Sequence, residues 1–306
     1  MDADWDIRIR AYRQFLLLEK GLSALSIDAY LRDVAKLHQF SGGADKTPES
    51  LRQQDIREFI EFLNEAGLMA TSQARILSAL RSFFQFLMME KLISKDPMEL
   101  IEAPRTARKL PDVLTVAEVD AIEAAIDLST PEGHRNLAII EVLFSCGLRV
   151  SELTTLKLSK IYEKDQFIQI KGKGDKTRLV PIGDRALRYL KNYFHHQRNI
   201  LTIQKGQEDF VFLNRRGKSL TRVMIFTIIK NLVIKAGIQK NISPHTFRHS
   251  FATCLIEGGA DLRAIQAMLG HESILTTEIY THIDRAFLRE NIVNFHPRSD
   301  KSKHHQ

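Results

Sequence analysis

The sequence predicts a mainly α-helical, multi-domain chain that carries one small β-hairpin. Apolar residues recur at helical spacing through most of its length, whereas strand-like alternation is confined to short segments within residues 166–213. At 306 residues, with 44% hydrophobic and 26% charged residues, the chain has the size and composition of a two-domain globular protein. We expect four regions: a helical domain (1–103), a linker (104–112), an α+β domain (113–297) and a disordered tail (298–306).

The first domain is predicted to contain amphipathic helices and no strand. One helix begins after Thr47 and Pro48, a natural cap and first-turn pair. Another, "TSQARILSALRSFFQFLMMEK", turns one apolar stripe inward, formed by Ile76, Leu77, Leu80, Phe83, Phe84 and Leu87. Arg75 and Arg81 lie off this stripe, where they either face solvent or contact a phosphate.

The second domain follows the proline-containing linker "EAPRTARKLPDVLT". Thr115 and Glu118 form a capping box, and the helices after it are broken at Gly147. Residues 166–182 alternate around the turn "KGKGDK", which predicts a hairpin, and "DFVFL" predicts another strand. Helices are expected again from Leu220, with stops at "EGG" and "LGH".

The net charge of +7 is unevenly distributed. Residues 1–109 contain equal numbers of basic and acidic residues, so the whole excess falls in residues 110–306. A basic domain suggests a polyanionic partner such as DNA, although such an excess also serves solubility alone. The candidate DNA contacts outside the reaction centre are Arg75, Arg81, Lys171 and Lys176.

Other protein classes are disfavoured by composition. The N-terminus lacks the apolar core of a signal peptide, and no apolar run approaches the ~20 residues that a membrane span requires. We therefore expect a cytoplasmic protein without membrane contact. The two cysteines, Cys146 and Cys254, support neither a disulfide framework nor a four-ligand zinc site, and both are expected to be buried.

The segment "SPHTFRHSFA" predicts an anion site at the start of a helix. Pro244 suits the first turn, and His245 and Arg248, three residues apart, share one face close to the helix N-terminus. A metal site formed by His245 and His249 is the alternative. It is disfavoured because Thr246 occupies the position of the glutamate in H-E-x-x-H and Arg248 would repel a cation.

Four further residues of chemically versatile types lie where predicted elements begin, end or turn: Arg149, Lys173, His271 and Tyr280. Taken singly, each has an ordinary explanation: an ion pair with Glu152, a turn lysine, a capping residue and a packing aromatic. Taken together with His245 and Arg248, they suit phosphoryl transfer without a metal, in which arginines clamp the phosphate oxygens.

Tyr280 is the candidate nucleophile in this interpretation. A tyrosine hydroxyl with a pKa near ~10 is ionised in roughly one molecule in a thousand at neutral pH, a deficit of about 4 kcal/mol. Neighbouring arginines and a histidine base could supply much of it. Lys173, at the hairpin tip, is placed to protonate a leaving 5′-oxygen.

The segments "GLRVSEL", "GKGDKTRLVPIG", "HTFRHSFAT" and "LGHESILTTEIYTHI" resemble the signature boxes of the tyrosine recombinases, the phage integrase family. The boxes occur in family order and resemble most closely the bacterial Xer recombinases, with the XerD branch favoured by chain length and the "THID" segment. The helical first domain resembles the SAM-like core-binding domain of these enzymes. The resemblance thus implies an all-α SAM-like domain followed by an α+β catalytic domain.

The resemblance also implies a reaction through a 3′-phosphotyrosyl intermediate, without a cofactor or a metal. Lys173 would act as general acid, His245 as acid/base and phosphate ligand, and His271 as a further hydrogen-bond donor to the phosphate. The implied catalytic residues are Arg149, Lys173, His245, Arg248, His271 and the nucleophile Tyr280.

The implied biological role is resolution of chromosome dimers at a dif-like site on double-stranded DNA. The partners would be a XerC-like recombinase in a heterotetrameric synapse and an FtsK-like DNA translocase. The C-terminal helix within "RAFLRENIVNF" would pack into a neighbouring protomer. The alternatives are an integrase of a mobile element, favoured less because no N-terminal arm-binding domain is apparent, a non-catalytic DNA-binding protein of the same fold, and a metal-dependent nuclease.

Overall fold

A computed structural model describes residues 2–42, 46–104, 112–172, 177–270 and 285–299. The chain divides into two compact units, Met1–Lys109 and Leu110–Gln306, and the boundary lies within the predicted linker. The described residues form twelve α-helices and one three-stranded antiparallel sheet, which confirms the mainly α fold class. In these parts of the chain no helix is long and apolar enough to cross a membrane.

The first unit is helical throughout its described part. Its elements are α1 (Asp2–Leu18), α2 (Ala24–Gly42), a 3₁₀ turn (Pro48–Ser50), α3 (Gln53–Glu65) and α4 (Ala70–Met89). The six side chains predicted to face inward on α4 are all fully buried. They pack with aromatic residues of α1, where Trp5 stacks on Phe83 and Tyr12 meets the same ring edge-on.

The helix predicted to begin after Thr47 and Pro48 begins later. Pro48 starts only a short 3₁₀ turn, because Leu51 and Arg52 have extended backbones. The α-helix starts at Gln53, where the Asp55 carboxylate accepts the backbone N–H of Arg52 at 2.6 Å. A side-chain cap three residues into the helix thus fixes its start.

The second unit is built around the buried helix α6. Its helices are α5 (Val116–Ala124), α6 (Gly133–Cys146), α7 (Val150–Thr154), α8 (Asp184–His196), α9 (Arg222–Lys235), α10 (Pro244–Gly258), α11 (Leu262–Leu269) and α12 (Arg285–Phe295). Short 3₁₀ turns occur at Leu158–Lys160 and Arg198–Ile200. Helix α6 packs against α8 and α10, and its apolar side chains form the centre of the core.

The sheet of the second unit contains β1 (Ile161–Tyr162), β2 (Phe167–Lys171) and β3 (Thr177–Pro181). The predicted hairpin is confirmed as β2 and β3, paired from Phe167↔Pro181 to Lys171↔Thr177. The short strand β1 was not predicted. The predicted strand "DFVFL" is wrong, because Phe210 and Leu213 form only isolated bridges, with Lys157 and Ser219.

The helix ends of the second unit follow the predicted signals. The Thr115 and Glu118 capping box begins α5, and Gly147 ends α6. Glycines in the left-handed conformation also follow α10 and α11, at Gly259 and Gly270. Cys146 is buried as expected, whereas Cys254 is only half-buried.

The C-terminal helix α12 packs against α10, α11 and β3 of the same chain. Two residues that the sequence assigns to a disordered tail continue this packing. The Arg298 side chain is only 5% exposed, and its Nη1 lies 2.8 Å from the Asp120 carboxylate. The Ser299 hydroxyl donates to the Val293 carbonyl at 2.6 Å. Residues 300–306 lie outside the described part of the chain.

Candidate active site

The turn after α6 places Arg149. Gly147 ends the helix with φ +58°, and a Cβ added there would lie 2.4 Å from the Phe251 ring of α10. Glycine is therefore required both for this backbone conformation and for the close contact between the turn and α10. Two residues later Arg149 is the N-cap of α7, with its side chain 36% exposed.

The first turn of α10 places His245 and Arg248. Pro244 is its first residue, as predicted, and the Ser243 hydroxyl accepts the backbone N–H of Thr246. His245 is exposed, whereas Arg248 is 8% exposed and donates from Nη1 to the Gly147 carbonyl at 2.7 Å. The two residues share a helix face next to N–H groups that favour an anion.

Three arginines surround one buried carboxylate, that of Glu152. Its Oε1 accepts from Nη1 of Arg149 at 2.9 Å and from Nη1 of Arg178 at 2.8 Å. Its Oε2 accepts from Nη2 of Arg178 at 2.8 Å, and Nη1 of Arg248 lies 4.0 Å away. We call these four residues the arginine cluster. One carboxylate cannot balance three guanidinium groups, so the cluster keeps an excess of positive charge.

The same three arginines bind the last carbonyls of α11. Arg178 Nε donates to the Met268 carbonyl at 2.6 Å, Arg248 donates to that of Leu269, and Arg149 Nη2 donates to that of Gly270 at 3.2 Å. These carbonyls form the negative end of the helix dipole, which suits cations. The cluster thus holds the backbone of residues 268–270, which directly precede the predicted phosphate ligand His271 in the sequence.

Charge and burial act in opposite directions on the pKa values of the cluster. Burial would raise the pKa of Glu152, but the hydrogen bonds and charges of Arg178 and Arg149 hold it below its usual value. Burial, reinforced by the charge of Arg149, lowers the pKa of Arg248 to about 10. Arg248 therefore stays protonated at neutral pH.

The structure brings three of the six predicted catalytic residues into one unit at adjoining element ends: Arg149, His245 and Arg248. The predicted residues Lys173, Lys176, His271 and Tyr280 lie outside the described residues. Strands β2 and β3 flank the segment of the sequence that contains Lys173 and Lys176, because their register ends at Lys171 and Thr177. The ion pair of Arg149 with Glu152, which the sequence offered as the structural explanation of Arg149, is present as well. The catalytic role of Arg149 stays a prediction.

The predicted DNA contacts of the first unit both have partners within the protein. Arg75 forms an ion pair with the buried Asp33 and keeps 54% of its side chain exposed. Arg81 donates to the Ile101 carbonyl at 2.6 Å and is half-buried. Lys171, at the end of β2, is exposed. Their contact with DNA stays a prediction.

Sequence reasoning missed Arg178. A signal for it was present, because Arg178 lies opposite the buried Ile170 in the hairpin and cross-strand partners share a face of the sheet. A charged residue on a core-facing position requires a partner of opposite charge. Finding that partner needed the fold, since Glu152 is 26 residues earlier in the sequence.

The alternative of a metal site concerns His245 and His249 of α10. Among the residues that the structure describes, no group of three or more His, Cys, Asp or Glu side chains is arranged to hold a metal ion. His249 is exposed on α10, one turn beyond His245.

Comparison with known proteins places the chain in a family. The model of the phage integrase family matches residues 112–286, and that of the phage integrase N-terminal SAM-like domain matches residues 9–91. The chain belongs to the phage integrase family, the tyrosine recombinases. It is thus an enzyme that cleaves and rejoins DNA strands, which confirms the resemblance drawn from the four sequence boxes.

Individual relatives support the same assignment. The chain is 44% identical over 293 residues to tyrosine recombinase XerD of Listeria innocua serovar 6a, covering 94% of this chain and 98% of that protein. It is 42% identical over 297 residues to tyrosine recombinase XerD of Chlorobaculum tepidum, covering 96% and 97%. The crystal structure of XerH site-specific recombinase bound to palindromic difH substrate, a post-cleavage complex, superposes with a TM-score of 0.69 at 26% identity, covering 89% of this chain and 80% of that chain.

Proposed function

We propose that this tyrosine recombinase is a Xer-type enzyme that cuts and rejoins double-stranded DNA at a dif-like site and so resolves chromosome dimers during cell division. Its similarity to proteins named XerD over nearly their whole length supports the Xer role. The structural similarity to a Xer recombinase bound to a dif-type substrate supports double-stranded DNA as the partner.

The observation that carries the proposal is the charge of the arginine cluster. Arg149, Arg178 and Arg248 surround the single carboxylate of Glu152, and Arg248 lies in the first turns of α10. An excess of positive charge beside a helix N-terminus provides the environment that a phosphodiester and its more negative transition state require.

The proposed reaction is a transfer of the phosphoryl group from DNA to the enzyme and back. Arg149 and Arg248 bind the non-bridging oxygens of the scissile phosphate, and His245 is a further ligand and proton carrier. The hydroxyl oxygen of Tyr280 attacks phosphorus and loses its proton, while the bond from phosphorus to the 5′-oxygen breaks. Lys173 donates a proton to that oxygen, and His271 hydrogen-bonds to the phosphate.

The product of this step is a 3′-phosphotyrosyl bond and a 5′-hydroxyl. Attack by a 5′-hydroxyl of the second duplex reverses the chemistry and releases Tyr280 unchanged. The number of phosphoester bonds is conserved, so the exchange requires neither ATP nor a redox partner.

The test uses a nicked duplex whose short 3′ fragment diffuses away after cleavage, so that the covalent intermediate accumulates. The binding site is first selected from fragmented host DNA by its affinity for the full chain. We expect an adduct in EDTA that resists denaturation and retains the labelled strand 5′ of the cut. Tyr280→Phe should abolish the adduct and preserve binding, because it removes only the nucleophilic oxygen.

Tyr162→Phe is the matched control, because Tyr162 is an exposed tyrosine of the same unit whose hydroxyl lies 3.3 Å from Gln169 Oε1. This variant should form the adduct at the normal rate. An adduct that survives Tyr280→Phe would refute the assigned nucleophile. Binding without any adduct in the unsubstituted chain would favour the non-catalytic DNA-binding alternative.

We also propose a XerC-like recombinase as partner in a heterotetrameric synapse, with an FtsK-like translocase as activator. Recombination between two dif-like sites should then require extracts that contain both proteins in addition to this chain. Complete recombination by this chain alone would contradict the heterotetramer. If the binding sites selected from host DNA all lie within a mobile element, the result would favour the alternative of a mobile-element integrase.

A further inference from the structure

Arg178 joins three parts of the catalytic unit that lie far apart in the sequence. It is carried by β3, one residue after Thr177, which pairs with the last residue of β2. It contacts Glu152 in α7 and the Met268 carbonyl in α11. A single side chain therefore links the catalytic hairpin, the helix that follows Arg149 and the turn that precedes His271.

All three nitrogens of the Arg178 guanidinium donate within the protein. Nη1 and Nη2 bind both oxygens of Glu152 at 2.8 Å, and Nε binds the Met268 carbonyl at 2.6 Å. Arg248 is as buried as Arg178, with 10% against 13% of the side chain exposed, but it donates to backbone carbonyls and lies 4.0 Å from Glu152. The two-point ion pair with Glu152 therefore distinguishes Arg178, and it suits a residue that organises others rather than one that binds phosphate itself.

Gly270 lies directly against the Arg178 side chain. A Cβ added to Gly270 would lie 3.2 Å from its Cδ and 3.3 Å from its Nη1, and Gly270 has φ +63°. The C-terminal turn of α11 thus closes directly over the guanidinium, which holds it in one orientation.

Removal of Arg178 would change the charge balance at Glu152. The carboxylate is only 4% exposed, and Arg178 supplies its two-point partner. Without it, the buried charge would be left to Arg149 and Arg248, whose nearest approaches are 2.9 Å and 4.0 Å. A buried carboxylate attracts any remaining cation strongly because water cannot replace the lost partner. Both phosphate clamps would be drawn toward Glu152.

We infer that Arg178 is a positioning residue for strand cleavage: by binding both oxygens of Glu152 it leaves Arg149 and Arg248 available for the scissile phosphate and fixes the end of α11. This inference rests on the proposed roles of Arg149 and Arg248. It assigns a function to a residue whose described contacts are with Glu152 and the Met268 carbonyl.

The test compares Arg178→Gln with Arg188→Gln in the nicked-duplex assay. Arg188 is exposed on α8 and loses the same charge on substitution. With the full chain in excess over DNA, Arg178→Gln should slow adduct formation about 100-fold, the order expected when catalytic groups are misplaced by about 1 Å. Its dissociation constant for the duplex should stay within about threefold of that of Arg188→Gln, since a positioning residue does not itself bind the phosphate.

A double-mutant cycle with Glu152→Gln distinguishes positioning from a general structural effect. Glutamine keeps the volume and an acceptor for Arg149 but carries no charge, so it no longer draws the clamps inward. Arg178→Gln should therefore slow cleavage much less in the Glu152→Gln background than in the natural one. An equal slowing in both backgrounds, or cleavage by Arg178→Gln at the rate of Arg188→Gln, would overturn the inference.

Arg178→Lys keeps the test decisive if Arg178→Gln does not fold. An ammonium preserves the charge beside Glu152 but cannot bind two oxygens and a carbonyl at once. We expect cleavage about tenfold slower at unchanged affinity, as found for displaced supporting residues of other active sites. Unimpaired cleavage by a folded Arg178→Lys would refute the positioning role. Absence of an adduct from the unsubstituted chain would instead refute the proposed function.

Discussion

Among its described residues, the second unit contains two ionic clusters that are centred on buried carboxylates and have opposite charge balance. In the arginine cluster, three arginines surround Glu152. In a second cluster, which we call the carboxylate cluster, Arg185 and Arg298 face three carboxylates, those of Asp120, Glu123 and Glu141. Arg298 reaches them at 2.8, 3.8 and 3.7 Å, and Arg185 Nε lies 3.3 Å from Glu141.

The two clusters differ in the group that can balance their charge. The positive charge of three arginines exceeds the negative charge of Glu152, and an anion such as a phosphodiester would balance it. An excess of carboxylate is relieved by a proton: burial, followed by the charge of Glu141, raises the pKa of Glu123 to about 7. The carboxylate cluster connects α5, α6 and α8 to the residues after α12, so its arginines hold the chain in place and have no role in the proposed reaction.

The largest expected effect is on catalysis, from Arg248→Lys. Loss of the planar fork removes one of two contacts to the phosphate oxygens, and removal of one such donor costs about 100- to 1,000-fold in rate. Burial also lowers the pKa of a lysine, and the usual pKa of lysine is already about 2 units below that of arginine. Part of the positive charge would therefore be lost near neutral pH. Adduct formation on the nicked duplex measures the rate, and a gel shift measures binding, which should persist.

The matched control is Arg185→Lys, the same substitution in the carboxylate cluster. It should leave adduct formation within about threefold of normal, because the cluster has no proposed contact with DNA and surface or half-buried arginines contribute little to a distant reaction. Equal rates for Arg248→Lys and the unsubstituted chain would contradict the clamp role.

The next largest effect is on stability, from Arg298→Gln. The substitution leaves buried carboxylates with Arg185 as their remaining arginine, and breaking a buried pair by removing one partner costs about 3 kcal/mol. We expect the free energy of unfolding, measured with urea at pH 8, to fall by this order. The loss should be smaller at pH 5, where Glu123 is protonated and needs less compensation.

Lys191→Gln provides the comparison for an exposed pair. Its amine lies 2.8 Å from Glu163, but the side chains are 59% and 46% exposed. The effect of this variant should stay below about 1 kcal/mol. If Arg298→Gln were no more destabilising than Lys191→Gln, the anchoring role of the carboxylate cluster would be wrong.

Local signals in the sequence predicted where several helices and the hairpin of the second unit begin or end. A capping box placed the start of α5, Pro244 placed that of α10, glycines placed the ends of α6, α10 and α11, and alternation placed the hairpin. Each signal involves neighbours in the sequence, so each is readable without the fold. The four boxes predicted the family because their residues occur in a fixed order.

The two clusters were not predictable in the same way. Glu152 and Arg178 are 26 residues apart, and Asp120 and Arg298 are 178 apart, so only the packed structure pairs them. The strand predicted at "DFVFL" failed for a related reason. Val211, Phe212 and Leu213 are buried without a continuous partner strand, and apolar composition alone does not distinguish a buried loop from a strand.

The smallest expected effect is a change in pH dependence, from Glu123→Gln. Because the folded pKa of Glu123 is raised, the folded state keeps a proton that the unfolded state has already released between about pH 4.5 and pH 7. This contribution is fully present below the unfolded pKa and is lost as pH rises through about 7. The stability of the unsubstituted chain should therefore decline with rising pH over this range, and Glu123→Gln should reduce the decline by about 1 kcal/mol or more.

Glu118→Gln tests the sign of this argument, because Glu118 responds in the opposite way. Burial acts to raise its pKa, but hydrogen bonds from Lys240 and Thr115 hold it below the usual value. Its carboxylate contributes stability above the unfolded pKa, a contribution that is lost only as pH falls through the folded pKa. The stability difference between Glu118→Gln and the unsubstituted chain should thus be constant from pH 6 to pH 8, whereas that for Glu123→Gln should shift in favour of the variant. Parallel urea titrations of both variants at pH 6, 7 and 8 measure the two differences. A constant difference for Glu123→Gln would show that the carboxylate cluster is already balanced, which would remove the contrast with the arginine cluster.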